Sequence, residues 1–123
     1  MTERVVELVG EHTDNTVALR GRVSSAPESK ELPSGALITT FRVSVPRSRT
    51  PMTTGSTQRS DWMDCVAWSA RARRVVSGWQ VGDEVEVEGA LRRRFFRGGE
   101  GASTRLEVEV LSARRARPRS PAS

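Results

Sequence analysis

Hydrophobic and polar residues alternate along most of this chain with a period of two, the spacing that makes one face of a β-strand apolar and the other polar. From Asn15 onward, Val17, Leu19 and Val23 fall on one side and Arg20 and Arg22 on the other, which predicts a first strand with one buried and one basic face. Residues 36–45, ALITTFRVSV, alternate again, with Leu37, Phe41, Val43 and Val45 opposed to Ile38, Thr40, Arg42 and Ser44. Between these runs, Pro27 and then Pro33-Ser34-Gly35 predict a hairpin bend, with a short extended piece around Ser29–Leu32. In DWMDCVAWS, residues 61–69, Trp62, Asp64, Val66 and Trp68 share one face, and Met63, Cys65 and Ala67 share the other. The small apolar set suits a core.

The period then changes. Ala72, Val75, Val76 and Trp79 follow the i, i+3, i+4, i+7 spacing of one helical stripe, backed by Arg71, Arg73 and Arg74, which predicts a single short helix. A turn at Val81-Gly82-Asp83 leads into DEVEVEGALRRRFF. There Val85, Val87, Leu91 and Phe95 have one parity, and Glu84, Glu86, Glu88, Arg92, Arg94 and Phe96 the other. Gly89 falls mid-strand, where small barrels make a bulge or a sharp bend. Residues 97–103, RGGEGAS, read as a flexible hairpin tip, and TRLEVEVL as a last strand burying Leu106, Val108 and Val110. Three strands, a helix and two strands predict an all-β fold: a five-stranded Greek-key barrel of the OB type, with one short helix between strands 3 and 4.

Three segments lie outside this pattern. Residues 46–60, PRSRTPMTTGSTQRS, have almost nothing to bury and carry three Arg, so they read as a long, mobile, basic loop. Residues 1–14 form an N-terminal extension whose apolar piece, Val5–Val9, fits an edge strand or a short helix equally well. Residues 114–123 read as a disordered basic tail, leaving residues 15–113 as the folded domain.

Composition narrows the partners. A chain of 123 residues has room for one core. Lys plus Arg number 20 against 15 Asp plus Glu, a net charge of +5 that points to a polyanion. Lys30 is the one lysine, so the positive charge is almost all guanidinium, which forks onto phosphates and stacks on bases. A single cysteine, Cys65, allows no intramolecular disulfide and makes the cytoplasm the default compartment. The acidic N-terminal residues do not resemble a signal peptide, and no apolar run approaches the ~20 residues that span a bilayer, so no membrane partner is expected.

Catalysis finds little support. His12 is the only histidine and Cys65 faces the predicted core, so no nucleophile and base are paired and no enzyme is expected. The Glu84, Glu86 and Glu88 ladder reads as a solvated strand face, not a metal site, and no cofactor is expected.

The informative constellation is one of parity. Trp62 and Trp68 are six residues apart and project together, away from Met63, Cys65 and Ala67, while Phe96 shares its face with Arg92 and Arg94. Leaving such rings in water forgoes about 1.5–3 kcal/mol each. A stacked base recovers about 1–3 kcal/mol, and any base will do. Arg20, Arg22, Arg42, Arg92 and Arg94, on the same outer parity, would take the phosphates. The competing reading packs the two indoles under the helix or into a subunit contact and makes the Arg92–Arg94 run a charge-protected strand edge. Trp79 and Phe41 are assigned to the core.

In order, spacing and motif, NTVALRGRV, LPSGALITTFRVSVPR, DWMDCVAWS and VGDEVEVEGALRRRFF resemble the bacterial single-stranded DNA-binding protein family over residues 15–113. The block GDEVEVEGALRRR is the most specific part. The resemblance implies an OB-fold subunit that assembles into a homotetramer or a dimer. It implies binding of single-stranded DNA without strong sequence preference, in replication, recombination or repair, with stacking at positions matching Trp62, Trp68 and Phe96.

Three departures stand out. Arg49 falls where many relatives carry a further aromatic, although a guanidinium can itself stack. Asp64 falls where a basic residue is common and should repel a phosphate unless an Arg neutralises it. The chain ends in Arg115, Arg117 and Arg119, without the long linker and acidic, Phe-ending tail of such proteins. That resembles a shortened paralogue, for which no tail-mediated repair or replication partners are expected. The alternative function is an OB-type protein-assembly module, as in primosomal relatives, with weak nucleic-acid binding.

Overall fold

The first strand does two jobs. In the computed structural model, which describes residues 14–98 and 101–116, β1 (Val17–Glu31) pairs through Val17–Arg22 with β4 (Glu84–Gly98) and through Arg22–Glu31 with β2 (Leu37–Pro46). β3 (Ser60–Ala67), the helix α1 (Ala70–Val76) and β5 (Gly101–Arg115) complete the chain. The strands close in the order β1-β2-β3-β5-β4, with β3 and β5 parallel and every other pair antiparallel. This is the five-stranded barrel with one short helix between strands 3 and 4 that the sequence predicts.

Several boundaries differ from the sequence reading. β1 is one long strand, not a strand followed by a separate extended piece. Its ladder shifts register between Val23 and Ser25 and again between Ser25 and Glu28, so Pro27, which has no N–H to donate, sits within an irregularity instead of ending the strand. β4 and β5 pair as far as Gly98 and Gly101, well into residues 97–103 that read as a hairpin tip. β5 runs to Arg115, past the expected end of the domain at 113, and the Ala116 N–H donates to Glu84 O at 2.8 Å. The N-terminal extension as far as residue 13, and the tail from residue 117, lie outside the described residues.

The core follows strand parity. Val23, Phe41, Val43, Cys65, Ala67, Val85, Val87, Val108 and Val110 point inward and form one buried cluster. α1 closes it with Ala72 and Val76, starting at Ser69, whose hydroxyl accepts from the Ala72 N–H at 3.0 Å. Only part of the predicted helical stripe is helical: Trp79 lies beyond the helix and sets its ring edge-on to Phe41, centroids 5.4 Å apart at 86°. Val75 is half-exposed.

Two glycines let strands cross closely. A Cβ at Gly21 would lie 2.1 Å from Ser44 O, and one at Gly89 would lie 1.8 Å from Glu109 O. Gly89 marks the bend the sequence predicts: the β4–β5 register shifts between Glu88 and Gly89, and the extra residue opposite, Leu111, is left exposed. Beyond this bend β4 and β5 extend as a hairpin. Leu91, Phe95 and Leu106 keep the inward parity there but have no barrel to fill, so they are substantially exposed. That corrects the expectation that Leu106 is core.

Candidate nucleic-acid interface

Trp62 lies on the outer face of β3, Trp68 just past its end, and Phe96 on β4. Trp62 is 54% exposed and Trp68 38%, and Met63, Cys65 and Ala67 point the other way, the last two fully buried. Six residues of extended chain separate the two indoles by about 20 Å. Val66, between them, is buried although it points outward, as is Ile38, which alternation groups with Thr40, Arg42 and Ser44. The β2–β3 ladder ends at Thr39↔Ala67, the residues next to Ile38 and Trp68. Trp68 is the less exposed of the two indoles, and Trp62 carries the guanidinium of Arg42 on its ring.

Phe96 lies on the β4–β5 hairpin with the outward parity of Arg92 and Arg94, half-buried because two guanidiniums lie on its ring. Arg94 Cζ is 4.5 Å and Arg105 Cζ 4.9 Å from its centroid. β3 and β5 run parallel from Cys65↔Val108, so Trp62 on β3 and Arg105 on β5 lie towards the same end of the barrel. A ring and its flanking arginines on the hairpin thus continue the surface that begins at Trp62.

Most of the arginines expected to take phosphates are already engaged. Arg42 Nε donates to Asp64 Oδ1 at 3.1 Å, and its Cζ lies 4.0 Å from the centroid of Trp62. This neutralises the carboxylate that the sequence reading marked as repulsive. Arg94 donates to both oxygens of Glu107, at 2.6 and 3.0 Å, and Arg92 to Glu109 at 3.0 Å. Arg20 is held elsewhere. It lies on the β1–β4–β5 face, paired to Glu84 at 3.3 Å and Glu86 at 2.9 Å, where Arg114 also bonds Glu86 at 2.6 Å. Arg22 shares a row with Ser44 and Trp62 across β1, β2 and β3, and its Nη1 donates to Gly82 O at 3.0 Å.

The loop from β2 to β3, expected to be mobile, has internal structure. Thr50 and Thr53 bond each other's backbone and side chain, and Thr53 Oγ1 donates to Ser48 O at 2.7 Å. The result is an open hollow of about 490 Å3 lined by Arg47, Arg49, Thr54, Ser56, Gln58 and Arg59. Arg47 is tied to Asp61 by Nε at 3.0 Å and Nη2 at 2.9 Å, and the hydrogen bond to this carboxylate raises its pKa further. Arg49 and Arg59 make no ion pair with another described residue. Arg59 and Arg105 were missed by strand-parity reasoning: one sits in a loop and the other faces Phe96 only through the β4–β5 register.

Cys65 is buried in the barrel, and burial, with Asp64 and Glu107 nearby, pushes its thiol up to about 12. It has no nucleophile's environment. Among the described residues, no three His, Cys, Asp or Glu cluster as a metal site and no helix is long and apolar enough to cross a membrane.

A match to the Single-strand binding protein family spans residues 14–115, the whole barrel from the residue before Asn15 to the end of β5. The chain belongs to that family. It is 31% identical over 87 residues to the single-stranded DNA-binding protein A of Bacillus subtilis, covering 71% of this chain and 49% of the relative. To the single-stranded DNA-binding protein of Mycobacterium tuberculosis it is 33% identical over 106 residues, covering 79% of this chain and 61% of the relative. The match thus takes in about half to three-fifths of these relatives' length. Among solved structures, the Plasmodium falciparum SSB complex with ssDNA superposes with a TM-score of 0.66 at 21% identity, covering 82% of this chain and 91% of that one, a likeness of fold.

Proposed function

We propose that this chain binds single-stranded DNA without strong sequence preference, stacking bases on Trp62, Trp68 and Phe96 and holding phosphates with guanidiniums at the edge of that surface. The observation that carries the reading is Trp62. Its indole is more than half exposed on the outer face of a barrel whose core is otherwise complete, with Arg42 against it. Family membership and the named activity of the relatives support the same partner. A base stacked on such a ring contributes about 1–3 kcal/mol whatever its identity, which suits recognition by stacking better than by base edges. Arg22, Arg49 and Arg59 are the phosphate contacts best placed to act, since Arg20, Arg92 and Arg94 are held by carboxylates.

Assembly into a homotetramer, activity in the cytoplasm and service in replication, recombination or repair extend the family reading to this chain. The β1–β4–β5 face crossed by the Arg20–Glu86–Arg114 ladder, at the end of β4 remote from Phe96, is the surface assigned to self-association. Light scattering with and without oligo-dT tests the subunit number. One observation favours a second reading, an OB-type protein-assembly module: the exposed apolar side of the hairpin, Leu91, Phe95 and Leu106. Titration of intrinsic tryptophan fluorescence with oligo-dT and with a duplex of equal length decides between them. Quenching by the single strand at low salt is the expected result. An unchanged spectrum would exclude stacking and leave the assembly module.

A further inference from the structure

Asp64 and Glu107 are carboxylates set into the surface proposed to take a polyanion, a placement that charge alone opposes. Each is tied to a guanidinium that lies on an aromatic ring. Asp64 on β3 accepts from Arg42 on β2 at 3.1 Å, and Arg42 lies 4.0 Å from the centroid of Trp62. Glu107 on β5 accepts from Arg94 on β4 at 2.6 and 3.0 Å, and Arg94 lies 4.5 Å from the centroid of Phe96. The same carboxylate, guanidinium and ring sequence thus occurs twice, on different pairs of strands.

An arginine side chain has many rotamers, and beside a polyanion an unanchored one turns to the nearest phosphate. A carboxylate bonded to the edge of the planar fork fixes the plane of the guanidinium, whose flat face can then lie along a ring. Trp62 keeps 54% of its surface exposed with Arg42 in place, so the guanidinium backs the ring without covering it.

We propose that Asp64 is a positioning residue for base stacking: it anchors Arg42 as a backing layer for Trp62, so that the indole plane is set before a base arrives on its open side. Glu107 likewise anchors Arg94 against Phe96, a ring that Arg105 also touches. This inference rests on the single-strand reading above and adds which groups hold the stacking surface still. It also gives Arg42 a role other than phosphate binding, because its charge is already matched.

Asp64→Asn, isosteric and at a partly exposed position, tests it, with Arg42→Gln and the double variant completing a cycle. The nuclear magnetic resonance spectrum of the free protein reads the geometry: Arg42 side-chain protons over the indole are shifted upfield by its ring current. In Asp64→Asn those protons are expected to move back towards ordinary values, and the Trp62 indole N–H to shift, with Trp79 unmoved as a check on the fold. Binding of oligo-dT at high salt is expected to weaken about fivefold, the lower end of one stacking contact. The freed Arg42 should meanwhile steepen the salt dependence by about 0.7 in the log–log slope. The double variant should bind no more weakly than the weaker single one. If the unaltered chain binds oligo-dT but Asp64→Asn binds as tightly or more tightly, with Arg42 still upfield, Asp64 is only a repelling charge and the positioning role is wrong. If the unaltered chain does not bind oligo-dT at all, the single-strand reading itself fails, and this inference with it.

Discussion

Glu107 is 1% exposed and held by both forks of Arg94, a fully buried carboxylate whose charge is met by one guanidinium at the mouth of the β4–β5 hairpin. Removing one partner of such a pair leaves the other charge buried and unmatched, a loss of about 3–5 kcal/mol, whereas exposed pairs contribute about 0–1 kcal/mol. Arg94→Ala is therefore expected to lower stability by about 3 kcal/mol, and Arg92→Ala, which frees the more exposed Glu109, by less than about 1 kcal/mol. Urea unfolding of the two variants checks the difference.

The barrel closes tightly at Gly89, where a methyl group would meet Glu109 O at 1.8 Å. Overpacking of side chains costs about 1–3 kcal/mol, and here the obstacle is backbone in a strand pair, which yields less readily. Gly89→Ala should destabilise the fold by about 2 kcal/mol or more and pull β4 away from β5. The loss of slow-exchanging amides along Gly89–Arg92 would show it.

Cys65 ties stability to pH. Burial, then the charges of Asp64 and Glu107, raises its thiol from the ordinary 9.0 to about 12. The folded state thus keeps a proton that the unfolded chain releases. Its contribution to stability is fully present below pH 9 and lost as pH rises towards 12. The urea midpoint is expected to fall across that window, and to fall less in Cys65→Ala. At pH 8 the folded protein should react with a thiol reagent no faster than it opens.

Phosphate binding should be read from salt dependence. Arg49 and Arg59 line the loop hollow without a carboxylate partner among the described residues, while Arg20 bonds Glu84 and Glu86 on another face. Replacing Arg49 and Arg59 together by Ala should flatten the slope of log affinity against log salt by about 1.4, about 0.7 for each phosphate that is no longer neutralised. Arg20→Ala should leave the slope unchanged.

Strand periodicity made much of this fold legible. Alternation at Val17–Val23, Leu37–Val45, Asp61–Trp68, Glu84–Phe96 and Leu106–Val110 follows from one buried face, and the barrel order follows from five such strands and a helix. Parity also separated the Trp62 face from the Cys65 face. It could not show which residues lie past the barrel's end, so Leu106 has core parity and an exposed side chain. Nor could it show ion pairing. Arg92 stands opposite Glu107 and Arg94 opposite Arg105, yet the bonds run diagonally, Arg92 to Glu109 and Arg94 to Glu107, a choice made by register and side-chain reach. Ile38, polar-side by parity, is buried, which alternation alone does not reveal.

Exposure distinguishes the two indoles. Trp62 is 54% exposed against 38% for Trp68, so removing its ring disturbs the fold less, and Trp62→Ala tests the stacking surface more directly. The most direct measurement is the affinity of this variant for labelled oligo-dT by fluorescence anisotropy, with its thermal melt recorded alongside. The expected result is an unchanged melt and binding weakened by about 1–3 kcal/mol, the contribution of one stacked base. Binding equal to that of the unaltered protein, or a barrel that unfolds without this ring, would contradict the account.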